Sequence, residues 1–249
     1  MTYILSDIHG QKKLFDKLLK KIEFSDQDEL YVLGDVIDRG PDGIKLLLKT
    51  MGTTNIHMLL GNHELMMQQT ICSHDRELMW QYAQMWFQNG GKITLNSFLK
   101  YSENTQKRIL KYISKLPSEL RVTVNNKEFI LCHAIPHPVS WKINPFENSV
   151  EGLRYNTERE MAAWERGLFF NDDNFKDKII IHGHTSTKLH DKEGKMLIRM
   201  MDEKGYEQKD INKIREINID CGCSRIPYGM TDGRLGCLRL EDMKEFYAG

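Results

Sequence analysis

The sequence predicts an α/β fold. Short apolar runs of strand length alternate with stretches of helical periodicity over the first sixty residues, each apolar run ends in a polar cluster, and apolar strands return in the second half of the chain. A length of 249 residues suits one domain spanning 1–249 with a substantial core.

Tyr3-Ile4-Leu5 is the first strand and runs into Asp7-Ile8-His9-Gly10; Leu14, Leu18, Leu19 and Ile22 then recur at helical spacing. Leu30-Tyr31-Val32-Leu33 repeats the unit, running into Gly34-Asp35, with Pro41 placed as the first residue of a helix that carries Ile44, Leu47, Leu48 and Met51 on one face. Ile56 to Leu60 is a third strand and runs into Gly61-Asn62-His63-Glu64, which gives a parallel sheet. From about 73 to 117 the pattern is helical: Met79, Ala83, Trp86 and Phe87 share one face, Ile109, Ile113 and Leu116 another, and Gly90-Gly91 breaks the run. This segment reads as a helical insert beside the sheet, its tryptophans and methionines as core. Strands return at Leu120–Val124 and Glu128–Leu131, joined by an Asn125-Asn126 hairpin turn, and again at Lys178–Ile181, Ile217–Asp220 and Leu235–Leu240. Lys192 to Asp210 is polar and reads as a surface excursion.

Composition narrows the classes of function. Lysine plus arginine equals aspartate plus glutamate at 35 each, so no global field draws the chain to nucleic acid or to an anionic membrane, and any recognition of an anion would have to be local. The N-terminal apolar run is too short for a signal peptide and no window approaches a membrane span, so a cytoplasmic location is expected. The five cysteines are odd in number and scattered, as reduced thiols are; Cys221-Gly222-Cys223 lacks the spacing and the second ligand pair of a zinc site and reads as packing.

The chemistry lies at the strand ends. Five of them carry Asp, His or Asn, mostly beside Gly, and the carboxyl ends of strands in layered α/β folds form the site crevice. Asp7-x-His9 alone is a weak signal. Gly34-Asp35-Val36-Ile37-Asp38-Arg39-Gly40 is much more specific: it sets two carboxylates and a guanidinium between glycines directly after an apolar strand. Asn62, His63, His133 and His184 complete a mixed oxygen and nitrogen set suited to Mn, Fe, Zn or Mg.

In this order, Asp7-x-His9, Gly34-Asp35-x-x-Asp38-Arg39-Gly40, Gly61-Asn62-His63-Glu64, His133 and Gly183-His184-Thr185 resemble the calcineurin-like metallophosphoesterase superfamily, and within it most closely the compact bacterial and phage members of the phosphoprotein phosphatase (Ser/Thr phosphatase) family. The resemblance implies a sandwich of two mixed sheets flanked by helices. It implies two divalent ions, manganese first and iron, zinc or magnesium open: Asp7, His9 and Asp35 would hold one, Asp35, Asn62, His133 and His184 the other, with Asp35 bridging. It further implies hydrolysis by in-line attack of a metal-bridged hydroxide, His63 as the acid that protonates the leaving oxygen, Asp38 as its orienter, and Arg39 with Arg166 as phosphate clamps. Glu64 reads as an outer support of the ligands rather than a ligand. His182 reads as a strand-end structural group, and His57, His74, His137 and His190 as packing or surface.

Phosphoserine or phosphothreonine in protein is the leading substrate class, and a dinucleoside polyphosphate such as diadenosine tetraphosphate is the alternative on the same scaffold. A binding scaffold without catalysis is disfavoured by the full set of ligands and acid, and nucleic-acid cleavage by the neutral charge. One departure weakens the protein-phosphatase reading. The tyrosine-containing loop that eukaryotic members share near the end is replaced by Asp220-Cys221-Gly222-Cys223 and Ser224 to Gly229, which leaves the helical insert as a candidate specificity element.

Overall fold

A computed structural model describes residues 1–136, 157–166, 175 and 177–249. The elements of the first half are β1 (Thr2–Leu5), α1 (Lys12–Lys21), β2 (Glu29–Val32), α2 (Gly43–Gly52), β3 (Ile56–Met58), α3 (Asn62–Cys72), α4 (Arg76–Gln88), α5 (Lys92–Phe98) and α6 (Glu103–Ile113). β4 (Glu119–Val124), β5 (Lys127–Cys132), α7 (Glu158–Trp164), β6 (Ile179–His182), β7 (Arg199–Met201), β8 (Glu216–Asn218), β9 (Leu235–Arg239) and β10 (Lys244–Ala248) follow.

The strands form two five-stranded mixed sheets, ordered β10-β9-β1-β2-β3 and β4-β5-β6-β8-β7. In the first, β1, β2 and β3 are parallel, and β9 pairs antiparallel with both β1 and β10. In the second, β5, β6 and β8 are parallel and β4 and β7 antiparallel. Side chains alternate across each strand, so apolar residues at every position bury both faces. Ile4 and Leu238 of the first sheet pack with Phe129, Leu131, Ile179, Ile181 and Ile217 of the second. Tyr3, Leu5, Leu30 and Val32 turn the other way, onto Phe15, Leu18, Ile44 and Leu47 of α1 and α2. Ile130, Cys132 and Ile180 face outward from the second sheet. The expected α/β architecture of two mixed sheets flanked by helices is the one observed.

Four local expectations change. Asn62, His63 and Glu64, read as the polar cluster that ends the third strand, open α3, and Glu64 closes a capping interaction with the Gly61 backbone N–H. Pro41 precedes α2 instead of starting it: the Asp42 N–H is taken by the Gly10 carbonyl at 3.2 Å, so Gly40-Pro41-Asp42 closes a loop and the helix begins at Gly43. The polar stretch 192–210 contains β7, whose antiparallel pairing to β8 supplies the order its composition does not advertise. β10, unassigned from its pattern, pairs along its full length with β9. The hairpin at Asn125-Asn126 is as expected, with both residues at positive φ (49° and 60°).

Candidate active site

The parallel strands of each sheet deliver their carboxyl ends to one crevice. Asp7 and His9 follow β1, Asp35 follows β2, Asn62 and His63 follow β3, His133 follows β5 and His184 follows β6. All six expected metal-ligand residues and His63 are drawn together there, and all but His184 are buried. The backbone bends sharply to do this: Asp7, His9, Asp35, Asp38, Arg39 and His184 all have φ between 45° and 69°. Left-handed backbone at six non-glycine residues is a conformational cost concentrated at one place, as at functional sites. Gly34 is required outright, because at φ 92° an added Cβ would lie 2.6 Å from the Gly61 backbone.

Glu64 is the buried support of this loop. Its Oε2 accepts from the backbone N–H of Asp35 (2.9 Å) and Gly61 (3.2 Å), and its Oε1 from those of Val36 (2.9 Å) and Ile37 (3.2 Å). One carboxylate therefore fixes the turn after β2 to the start of α3, and with it the position of Asp35. The Asp35 side chain is held in turn by the His63 N–H, donated to Oδ1 at 3.0 Å.

The donor set fits divalent ions. The Nδ1–H of His133 donates to the Leu33 carbonyl (2.7 Å), so Nε2 presents a lone pair. That lone pair faces Asn62 Oδ1 at 3.0 Å and Asp35 Oδ1 at 3.5 Å, while Asn62 Oδ1 also lies 3.1 Å from His184 Nδ1. His133 Nε2, Asn62 Oδ1 and Asp35 Oδ1 are acceptors facing one another, and at these distances they repel unless a cation lies among them. His9 is held in the same tautomer: its Nδ1–H donates to the Ile37 carbonyl (3.1 Å), and Nε2, which accepts from Arg39 Nη1, faces Asp35 Oδ2 at 3.6 Å and Asp7 Oδ1 at 3.8 Å. The other Asp7 oxygen accepts from Ser6 Oγ (2.5 Å) and the His184 N–H (3.0 Å). Among the described residues, the sets His9, Asp35, His63 and Asp35, His133, His184 each bring their ligand atoms within 4.8 Å of one another.

The electrostatics agree. Burial, and then the neighbouring Asp220 charge, push the Asp7 carboxyl well above the usual range; burial and then Glu64 do the same for Asp35. Burial pushes His9, His63 and His184 well down, toward neutral imidazole. Positive charge placed in the crevice would reverse the penalty on both carboxylates, and neutral imidazole is the form that ligates.

Asp38 and Arg39 flank His63. His63 Nδ1–H donates to Asp38 Oδ2 at 2.6 Å, and Arg39 spans the two imidazoles, donating from Nη1 to His9 Nε2 and from Nη2 to His63 Nε2 at 3.2 Å each. The Asp38 carboxyl is wholly buried, and burial pushes it up to about 7 against the opposing pull of Thr94, Trp86 and Arg39. Arg166 stands apart from this group. It is exposed, just past α7, on the rim of a cavity of about 300 Å³ that also touches His184, Glu165, His182 and Glu216.

Three residues of the site escaped sequence reasoning. Asp220, after β8, is buried with its carboxylate accepting from the Ser186 hydroxyl (2.9 Å) and the Gly222 N–H (2.8 Å); a sixth strand end carrying Asp beside Cys-Gly was the available signal. Trp86 and Thr94, in the helical stretch, both bond Asp38, and no local pattern marks them. His182 is structural as expected, its Nε2 3.0 Å from Glu216. His57 bonds Glu29, and His74 and His190 are exposed; His137 lies outside the described residues. Four of the cysteines are buried and all five are free thiols, in keeping with Cys221 and Cys223 as packing groups.

Comparison with known proteins gives three consistent findings. The family model for calcineurin-like phosphoesterases matches residues 2–210. Curated relatives include the symmetrical bis(5'-nucleosyl)-tetraphosphatases of Delftia acidovorans, 42% identical over 65 residues covering 25% of this chain and 23% of that enzyme, and of Vibrio parahaemolyticus, 30% identical over 166 residues covering 66% and 54%. The matched stretches thus span between a quarter and about half of those relatives' length. Among solved structures, a chain provisionally described as a diadenosine tetraphosphatase is similar in fold, with a TM-score of 0.57 at 18% identity over 99% of this chain and 92% of that one. None of the three supports the Ser/Thr phosphatase family as the chain's place within the superfamily.

Proposed function

We propose, for a chain that belongs to the calcineurin-like phosphoesterase family, that the crevice hydrolyses phosphoric esters and anhydrides, with a dinucleoside polyphosphate of the diadenosine tetraphosphate class as its substrate. The observation that carries the hydrolytic reading is the convergence of lone pairs from His9, Asp35, Asn62, His133 and His184 in one buried crevice. The substrate class, the alternative that the same motifs leave open, is supported by the names of the curated relatives, which point away from phosphoprotein.

Asp7, His9 and Asp35 would hold one divalent ion and Asp35, Asn62, His133 and His184 a second. Bound there, such ions supply a water nucleophile usable at neutral pH and neutralise phosphate charge. The protein's own groups do the rest. Second-sphere bonds to the Leu33 and Ile37 carbonyls fix which nitrogen of His133 and of His9 carries the proton. Arg39, whose planar guanidinium spans His9 and His63, would grip two phosphate oxygens, and Arg166 on the cavity rim would hold phosphates further along the substrate. His63, with Nδ1–H anchored on Asp38, directs Nε2 toward Asp35 and the crevice, where a proton can pass to a leaving oxygen.

Symmetrical cleavage would consume one water and yield two molecules of ADP. The test is a steady-state comparison with Mn of diadenosine tetraphosphate, a phosphoserine peptide and a phosphotyrosine peptide, with products resolved chromatographically. A kcat/KM for the dinucleotide at least about 100-fold above either peptide, some 2.7 kcal/mol of transition-state discrimination, with ADP as the product, is expected. A peptide preferred over the dinucleotide would overturn the substrate assignment, and inertness toward all three with Mn, Mg, Zn and Fe would overturn the hydrolytic reading.

A further inference from the structure

The helical stretch reaches into the site at Asp38. Trp86 of α4, 48 residues along the chain, donates its indole Nε1–H to Asp38 Oδ2 at 2.8 Å. That oxygen is the one that accepts Nδ1–H of His63 at 2.6 Å. The Asp38 backbone N–H is taken by Thr94 Oγ1 of α5 at 2.9 Å, and the Arg39 N–H by the Gly90 carbonyl at 3.4 Å. Trp86 and Asp38 are both completely buried, and the second Asp38 oxygen has no hydrogen-bond partner among the described residues.

A tryptophan serving only as core would need its ring and not its N–H; a buried indole N–H must find an acceptor, and the one it finds is the carboxylate that holds His63. Among the described residues Oδ2 is located by two donors, His63, which has to stay reactive, and Trp86, which does not react. The α4–α5 turn is shaped for this contact. An added Cβ at Gly91 would run into the Trp86 ring, and one at Gly90, which sits at φ 94°, would come within 3.0 Å of Arg39 Cγ.

We propose that Trp86 is a positioning residue for His63, acting through Asp38, so that the helices between α3 and β4 are part of the proton-delivery machinery as well as of the core. The inference rests on the reading of His63 as the acid of a phosphoester hydrolase. Removing the indole N–H leaves Asp38 Oδ2 with a single donor, His63 itself, and allows the carboxylate to turn; the imidazole then spends less of its time aligned on the leaving oxygen. The consequence is specific. Esters whose leaving group needs a proton slow down, whereas those with a stable leaving anion do not.

The experiment uses the full chain with Mn and a series of aryl phosphates from para-nitrophenyl to phenyl phosphate. Trp86→Phe keeps an apolar ring and loses the N–H. It is expected to lower kcat on phenyl phosphate by roughly 10- to 100-fold while para-nitrophenyl phosphate changes by less than about threefold and KM moves little in either case. In a His63→Asn background the same substitution should add no further loss. An equal fall in kcat across the series, an unchanged series, or full additivity with His63→Asn would overturn the proposal. Should Trp86→Phe fold poorly, Thr94→Val is expected to reproduce the leaving-group pattern and Thr94→Ser to restore it; a Thr94→Val series indistinguishable from wild type would count against it. Independently of activity, the Trp86 indole ¹⁵N–¹H resonance should move on Asp38→Asn, and a resonance that stays in place would refute the contact. A wild-type chain inert on every phosphoester would remove the site reading and this inference together, whereas an active wild type with an unaffected Trp86→Phe would remove this inference alone.

Discussion

Replacing Glu64 by glutamine should loosen the candidate site and the fold together, because one buried carboxylate serves four backbone N–H groups. The Gln side chain keeps a single acceptor oxygen, which can continue to receive Val36 and Ile37. The other position becomes an NH₂ group that confronts the N–H of Asp35 and of Gly61 donor to donor. Two buried N–H groups thereby lose their acceptor, at about 1–3 kcal/mol each, or about 2–6 kcal/mol together. For a chain of this length that corresponds to a Tm lower by roughly 4–24 °C. The Asp35 backbone moves with the turn, so affinity for a divalent ion should fall by roughly 10- to 100-fold, the usual effect of losing an outer support. Thermal melts followed by circular dichroism, and Mn titration calorimetry well below the melt, measure the two effects. A variant that melts within about 2 °C of wild type and binds Mn unchanged would show that Glu64 is not what holds the turn.

The remaining predictions concern the proposed acid and a surface ion pair. His63→Asn is expected to lose roughly 10² to 10⁴ in rate on an alkyl phosphate and much less on para-nitrophenyl phosphate; near-normal turnover of the alkyl ester, measured by phosphate release, would rule His63 out as the acid. Arg225 grips Asp232 with Nε to Oδ1 (3.1 Å) and Nη2 to Oδ2 (2.9 Å), and this bond chiefly holds the Asp232 carboxyl below its usual range. A carboxylate depressed in the folded state adds stability above its unfolded pKa of about 3.9 and loses it as pH falls through the lower folded value. Arg225→Gln should therefore cost less than about 1 kcal/mol at pH 7, given the partial exposure of both groups, and nothing once pH has passed below the folded value. Melts of both proteins at pH 7 and near pH 2.5 check this, and a larger gap at the acid end would reverse the sign of the argument.

How much of the molecule was legible in the sequence depends on the range of the interaction involved. Tyr3-Ile4-Leu5 followed by Asp7 and His9, or Leu30 to Leu33 followed by Asp35, can be read because a strand and the turn at its end are contiguous, and both faces of a buried parallel strand are apolar. The same locality misplaced the start of α3: Asn62 to Glu64 look like the tail of a strand until the Glu64 side chain turns back to cap Gly61. β7 and β10 were missed because their order comes from partners, β8 and β9, and not from their own alternation. Local motifs leave the substrate open, since the roles proposed for Gly-Asp-x-x-Asp-Arg-Gly and Gly-Asn-His-Glu, metal binding and proton delivery, say nothing about what the phosphate is attached to.

The sequence by itself determined the alternation of strand and helix, the strand-end placement of Asp7, His9, Asp35, Asn62, His133 and His184, and the neutral charge that leaves phosphate recognition to a local site. Only the tertiary structure decided which of their atoms face one another, that Glu64 braces the Asp35 turn, and that Trp86 and Thr94 reach Asp38 from 48 and 56 residues away. The physical reason is that patterning and turn chemistry act over a few neighbouring residues, whereas a buried polar group must be satisfied by whatever donor the packed chain brings within about 3 Å, and which donor that is depends on how the sheets and helices close around it.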